Sequence, residues 1–212
     1  MDAIHLQDRV NWGLNRAARV LGHSTDAYRP HGAFDPLDKS NRYLRLRAAF
    51  SRPDGNFHQA VAPGTAVWRG YFDAAYTRVG DYLVQNDDIW FIAAQQSLLP
   101  VLCVKTNKIV SVIRPPSPTT GVSYGGVSQA SASPILSGWP ASVLGINGGD
   151  KAGAGIPGDV TMPVSVVLLP ASHGQSVRAS DIVVDELGMS SMIVAAERSD
   201  LGWRLNTRQI TT

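Results

Sequence analysis

The chain has 212 residues, 44% of them hydrophobic and only 17% charged, with 20 glycines and 13 prolines. That length suits one large or two small domains, the apolar fraction excludes charge-driven disorder, and the wealth of Gly and Pro favours turns and short strands over an all-helical bundle. A formal net charge of +2 is too small for a molecule whose whole surface faces phosphate, so no specific nucleic-acid binding is expected.

The charge is mildly uneven. Residues 1–113 carry 13 Lys and Arg against 10 Asp and Glu, and residues 137–212 carry 5 against 7, with Arg114 between them. The single cysteine, Cys103, cannot form an internal disulfide, and its neighbours Val101, Leu102 and Val104 place it in a buried strand. The opening residues are polar and amphipathic, so no secretory leader is expected and synthesis is expected in the cytosol. The best apolar run, residues 163–171, is far shorter than the roughly 18 residues of a membrane span, so no membrane partner is expected either.

In chain order, Leu6, Val10, Leu14, Ala17 and Leu21 recur at helical spacing, which predicts a helix over residues 2–21 that stops at Gly22. A second stripe, Arg9, Trp12, Arg16 and Arg19, follows another face of that helix. It reads either as a solvated arginine face or as an interface, since Trp and Arg are frequent anchors. From residue 43 the period becomes two. Strands are predicted over 43–50, 66–72, 82–84, 89–93, 100–104 and 109–113, and their short connections imply antiparallel hairpins. The aromatic residues Trp68, Tyr71, Phe72, Trp90 and Phe91 lie at strand spacing and read as core.

Residues 114–136 are rich in Pro, Ser and Gly without apolar periodicity and read as a linker. Beyond it, strands are predicted over 139–144, 163–170, 181–184, 189–195 and 202–205, with a Gly-rich arm over 145–158. The two halves resemble one another. Asp81 and Ile92 align with Asp181 and Ile193, and a gap-free continuation sets Leu102 against Trp203, Thr106 against Thr207 and Ile109 against Ile210. The expected fold is therefore mainly β: two small antiparallel β-barrel or sandwich-like units, related by internal duplication, with an N-terminal α-helix. The expected organisation is a first β domain with the helix over 1–113, a linker over 114–136, and a second β domain over 137–212.

Several strings imitate catalytic motifs. Residues 153–158 match G-x-G-x-x-G, but no helix is predicted to follow and aim its N-terminus at a pyrophosphate. Ser123 sits in a G-x-S-x-G string inside the linker instead of at a strand-to-helix elbow. Asp87 and Asp88 read as turn residues, and the five histidines never come at metal-ligand spacing. No catalytic residue, cofactor or metal is expected, and the chain is not expected to be an enzyme.

Four stretches carry a resemblance: LQDR at 6–9 with AARVLG at 17–22 and YRP at 28–30; GDYLV at 80–84 with WFIAAQQSLLP at 90–100; GWPASVLG at 138–145; and DLGWRL at 200–205. In these the chain resembles a family of virion structural proteins of tailed bacteriophages, encoded among head and tail components. The resemblance implies a β-barrel fold, a place in the virion after synthesis in the host cytoplasm, and work as a head-to-tail connector, neck or tail protein. The implied partners are identical subunits in a ring and neighbouring portal, connector or tail proteins. A capsid-decorating or receptor-binding module is the alternative. Assembly assigns interface roles to Arg9, Trp12, Arg16 and Arg19 on the helix, and to Ile146, Asp150, Lys151, Ile156 and Pro157 in the arm, whose glycines make it costly to order alone.

Overall fold

The computed structural model describes residues 2–52, 66–116, 132–146, 163–171 and 176–210. One helix, α1 (Ala3–Leu21), precedes twelve strands: β1 (His23–Tyr28), β2 (Arg42–Ser51), β3 (Val67–Tyr71), β4 (Tyr82–Gln85), β5 (Asp88–Ala94), β6 (Val101–Lys105), β7 (Lys108–Arg114), β8 (Ser133–Ile146), β9 (Val164–Leu169), β10 (Ile182–Asp185), β11 (Ser190–Ser199) and β12 (Gly202–Gln209). The first six strands close into a barrel in the order β1-β2-β3-β6-β5-β4, and the last six close in the order β7-β8-β9-β12-β11-β10. All pairings are antiparallel, and the connectivity of the second ring repeats that of the first strand for strand. The mainly β fold, its N-terminal helix and its two barrel units agree with the reading of the sequence.

Local chemistry sets the turns. β4 and β5 are joined by Asn86 and Asp87, with Asn86 in the left-handed region at φ 53°, where its short amide side chain is tolerated. At the matching β10–β11 turn, Asp185 Oδ1 accepts the N–H groups of Leu187 and Met189 at 3.1 and 2.8 Å, and Gly188 takes the positive φ. β6 passes to β7 through Thr106 and Asn107 alone. The passage between units therefore lies here, not at residue 114, because β7 pairs with β8 and β10 inside the second barrel. Of the expected linker, residues 133–136 form the start of β8, and 117–131 lie outside the described residues.

The duplication is real in register, but the gap-free alignment fails after Ile193. Ile92 pairs with Cys103 and Ile193 pairs with Thr207, so Thr207 is the counterpart of Cys103 and not of Thr106. The β11–β12 hairpin runs three residues longer than β5–β6. Leu102 and Trp203 consequently lie on opposite faces: Leu102 alternates with the lumenal Val101 and Cys103, whereas Trp203 alternates in phase with the buried Leu205 and Thr207.

The barrels are packed on each other. Tyr82, Phe91 and Val104 on the outside of the first barrel join Trp139, Leu136, Val166 and Leu168 of the second in one buried cluster. Tyr82 meets Trp139 edge to face at 6.0 Å and donates its hydroxyl to the Pro140 carbonyl at 2.8 Å. The loop after β1 adds a strap: Asp35 N–H donates to Ser137 O at 2.9 Å, Ser137 N–H to Ala33 O at 3.1 Å, and the Trp139 indole to Ala33 O at 2.7 Å. Gly138, at φ 73°, permits the bend in β8 that turns Trp139 into this position.

Candidate functional site

The most regular polar arrangement is a pair of clamps, one per barrel. An Arg-Pro pair stands at the end of each of two strands, Arg29–Pro30 directly after β1 and Arg114–Pro115 at the close of β7, where proline withdraws a donor and stops the ladder. Arg29 Nε and Nη2 donate to the two carboxylate oxygens of Asp81 at 2.9 and 2.8 Å. Arg114 repeats the fork on Asp181 at 2.8 and 2.9 Å. The same Nη2 atoms reach the carbonyls of Tyr76 and Ser176, at 3.2 and 2.8 Å. Each aspartate also accepts a backbone N–H three residues back, from Arg78 and from Arg178, both at 2.8 Å. Both carboxylates are buried, and their hydrogen bonds raise the partner arginines above their ordinary pKa. With their lone pairs occupied in this way, Asp81 and Asp181 are built to lock a loop onto a strand end instead of moving a proton.

The first clamp has an extra member. The Tyr43 hydroxyl donates to Asp81 Oδ2 at 2.6 Å, and the Arg29 guanidinium lies 4.3 Å from the Tyr43 ring centre. Burial, and then Asp81, push the Tyr43 hydroxyl well above the usual phenol range. The aspartates were visible in the aligned sequence halves, but their partners were not. The recurrent Arg-Pro at the ends of β1 and β7 was the available signal.

The helix supplies the second candidate. α1 lies on β2 and β3 and buries Ala18, with Gln7, Val10, Leu14 and Ala17 partly covered. Leu6 and Leu21, expected on that covered stripe, are exposed. Asn15 Nδ2 donates to Asp73 Oδ2 at 3.2 Å, and Leu98 N–H to Gln7 Oε1 at 2.8 Å, which fixes the helix at two heights. Arg9, Trp12 and Arg16 lie on the opposite, exposed side, and Arg19 is exposed at its edge, where it borders a pocket with Arg47 and Tyr76 of the barrel. Arg16 stacks on Trp12 at 5.5 Å, holding the indole flat as part of a cationic, aromatic strip. Of the other expected interface residues, Ile146 ends β8, while Asp150, Lys151, Ile156 and Pro157 lie outside the described residues.

The third candidate is the mouth of the second barrel. A cavity of about 300 Å³ opens among lumenal residues at the end where β7 begins and β12 finishes, lined by Val110, Val167 and Val183 together with Lys108, Asp185 and the buried Thr207. Lys108 Nζ donates to Asp185 Oδ2 at 2.6 Å, and Ser165 Oγ and Thr207 Oγ1 share a hydrogen bond of 2.8 Å. Burial pushes the Asp185 carboxyl up, but Lys108 and the N–H groups of Met189 and Leu187 outweigh it, so the net direction is down. The counterpart lumen in the first barrel is filled: Phe50 stacks on Trp90 with ring centres 4.0 Å apart, and Gln85 bonds Thr25 Oγ1 and the Ala48 carbonyl, both at 3.0 Å. The indole N–H groups of Trp68 and Trp90 are buried there without an acceptor among the described residues.

The remaining motifs resolve into structure or fall outside the described region. Phe72, Trp90 and Phe91 are core residues, whereas Trp68 and Tyr71 are half-buried. Asp88 pairs with Lys105 at 2.7 Å beside the β4–β5 turn that holds Asp87. Cys103 is lumenal, and burial pushes its thiol far above the reactive range. Ser123 and residues 153–158 are outside the described residues. Among the described residues, no three His, Cys, Asp or Glu side chains gather as a metal site, and no helix is long and apolar enough to cross a membrane. The chain matches no family model, no curated protein and no solved structure.

Proposed function

We propose that this chain is a structural component of a tailed-phage particle, a connector, neck or tail protein that works as a ring of identical subunits. The phage assignment rests on the sequence stretches named above. One structural observation supports an assembly role: the strip of Arg9, Trp12, Arg16 and Arg19 is presented outward by a helix whose other side is anchored to a closed barrel. A large aromatic side chain held by a guanidinium on a rigid support is the kind of anchor that binding surfaces use, and truncating a central one costs about 2 kcal/mol or more. In this reading the chain performs no reaction and requires no cofactor. Its work is to hold neighbours, which include portal, connector or tail proteins, after synthesis in the host cytoplasm.

A capsid-decorating or receptor-binding module is the second reading, favoured by the open mouth of the second barrel and the exposed Leu187 and Met189 beside it. Antibody labelling of intact particles separates them. Signal at one vertex or along the tail supports the connector or tail reading, signal over the whole head supports decoration, and signal at the distal tip supports receptor binding. Trp12→Ala with Arg16→Ala is expected to block incorporation into particles while the barrels stay folded. Normal incorporation of that variant removes the helix strip from the assembly.

A further inference from the structure

The shared connectivity gives the paired residues of one barrel counterparts in the other, outside the three extra residues of the β11–β12 hairpin. From Phe91, cross-strand pairing runs through Val104 to Val67 on one side and through Tyr82 to Tyr28 on the other. From Met192, which precedes Ile193 as Phe91 precedes Ile92, the same walk gives Arg208, Val164, Ile182 and Ile113. Both rows point away from their lumens. On the first barrel this row is the seat of the second barrel: Phe91 is 0% exposed, and Ala93, at the β-bulge beside it, is 2% exposed. On the second barrel the counterparts of Phe91 and Ala93 are open, with Met192 41% and Val194, at the same bulge, 57% exposed, while Ile182, at the place of Tyr82, is 6% exposed and Arg208 stands at the place of Val104. The part of the seat on β11 that is covered in one copy of the repeat is uncovered in the other, and there it still carries apolar residues.

We infer that this outer face of the second barrel, centred on Met192 and Val194, is the docking surface for a second copy of this chain, which places the outward side of its α1 there. The order of elements within one chain supports this occupant. α1 lies on β2 and β3, whose counterparts are β8 and β9, and β8 is the strand that β6 of the first barrel touches. The helix thus holds on the first barrel the place that the first barrel holds on the second. Continuing the series beyond the second barrel brings up the α1 of the next copy. That helix offers Trp12, 65% exposed, to the flexible thioether of Met192 and to Val194. The face also carries Glu197 and Asp200 toward the far end of the β11–β12 hairpin, but with Arg204 beside Glu197 and Arg208 beside Met192 its charges balance, so the contact rests on the apolar residues. Such a contact joins two different faces, so it repeats head to tail, the kind of contact from which a ring is built when the rotation between copies closes. The inference names the contact within the ring reading proposed above, on which it rests.

Sedimentation of the full-length protein tests it. The wild type is expected at a multiple of 22.7 kDa, and the Met192→Asp/Val194→Asp double variant at 22.7 kDa with an unchanged circular dichroism spectrum. Trp12→Ala is expected to weaken association at least tenfold. A photoactivatable residue at position 12 is expected to cross-link to the 190–196 segment of another copy, a readout that holds even where the double variant fails to fold. A wild-type monomer, an oligomer that survives both variants, or cross-links that avoid that segment overturn the inference. The virion reading fails by a different measurement, absence of the protein from purified particles, whatever the oligomeric state in solution.

Discussion

The two barrels share one strand order and are filled differently. The first is packed with aromatic rings, Phe50 on Trp90 and Phe72 tilted against Phe50 at 6.5 Å, and has the Tyr43 addition to its clamp. Among the described residues, the second has no aromatic ring around its cavity, which Val110, Val143, Val167 and Val183 line, opens at one end, and carries an ion pair and a pair of hydroxyls there. Six-stranded rings leave an interior that side chains alone can fill, so the ring itself does not dictate what occupies it. What the repeat preserves instead is the means of closing the ring: the Arg–Asp fork, the left-handed residue before each aspartate (Gly80, Ser180), and the reciprocal bonds of Gly80 and Asp81 with Ile92 and of Ser180 and Asp181 with Ile193.

The largest expected effect lies in these forks, and it distinguishes the barrels. Removing one partner of a buried, hydrogen-bonded ion pair costs about 3–5 kcal/mol, less where solvent screens the charge left behind. Asp81→Ala strands Arg29 and Tyr43 together, whereas Asp181→Ala strands Arg114, whose side chain is the more exposed of the two arginines. Urea unfolding is expected to show the greater loss for Asp81→Ala. Equal losses would mean that Tyr43 adds nothing to the first clamp.

Next in size is the contrast in filling. Phe50→Ala removes a ring stacked within the first barrel and is expected to cost about 3 kcal/mol. Met189→Ala, at the open mouth of the second, is expected to stay within about 0.5 kcal/mol of wild type. A comparable loss at both positions would show that the second mouth is packed in solution.

Smaller still is the seam between the barrels. Tyr82→Phe leaves the Pro140 carbonyl without its donor and is expected to cost about 1–2 kcal/mol, with faster hydrogen exchange in β4 and β8. Unchanged exchange in β8 would mean that the hydroxyl does not tie the barrels together.

The least effect is expected in acid. Asp185 has a lowered folded-state pKa, so its contribution is present above the unfolded carboxylate value and is lost as pH falls below about 4 and through the lowered value. Comparing urea midpoints at pH 6 and pH 3, Asp185→Asn is expected to lose less than wild type on acidification, by roughly 1 kcal/mol or under. An identical acid loss in both proteins would exclude the Lys108–Asp185 pair as its source.

Local patterns were the legible part of this fold. Period-two runs located most strands, the helical stripe located α1, and the Asp81/Asp181 and Ile92/Ile193 matches exposed the duplication. The later register was not legible, because the longer β11–β12 hairpin shifts the frame by three residues with no marker such as Pro at the point of change. β7 was assigned to the wrong barrel for a related reason: a two-residue turn looks the same whether it joins strands of one sheet or passes between two. Of the candidate surfaces, the Arg and Trp strip was readable from spacing. The Met192 and Val194 face was not, since its significance depends on comparison with Phe91 and Ala93 in folded register. The Arg–Asp forks join positions 52 and 67 residues apart, beyond the reach of any local pattern.

The two-residue passage from β6 to β7 also has a meaning in time. Every strand of the first barrel has emerged once Lys105 leaves the ribosome, while β8 and β9, as far as Leu169, have still to follow. At about 5–20 residues per second that interval lasts roughly 3–13 s, longer than small domains need to fold. A first barrel that closes during it has Tyr82, Phe91 and Val104 bare until β8 and β9 arrive to cover them. A nascent chain stalled in this window presents its neighbours on the same message with the very face that its own second half is built to cover, so the tempo of translation across residues 106–169 becomes a determinant of yield.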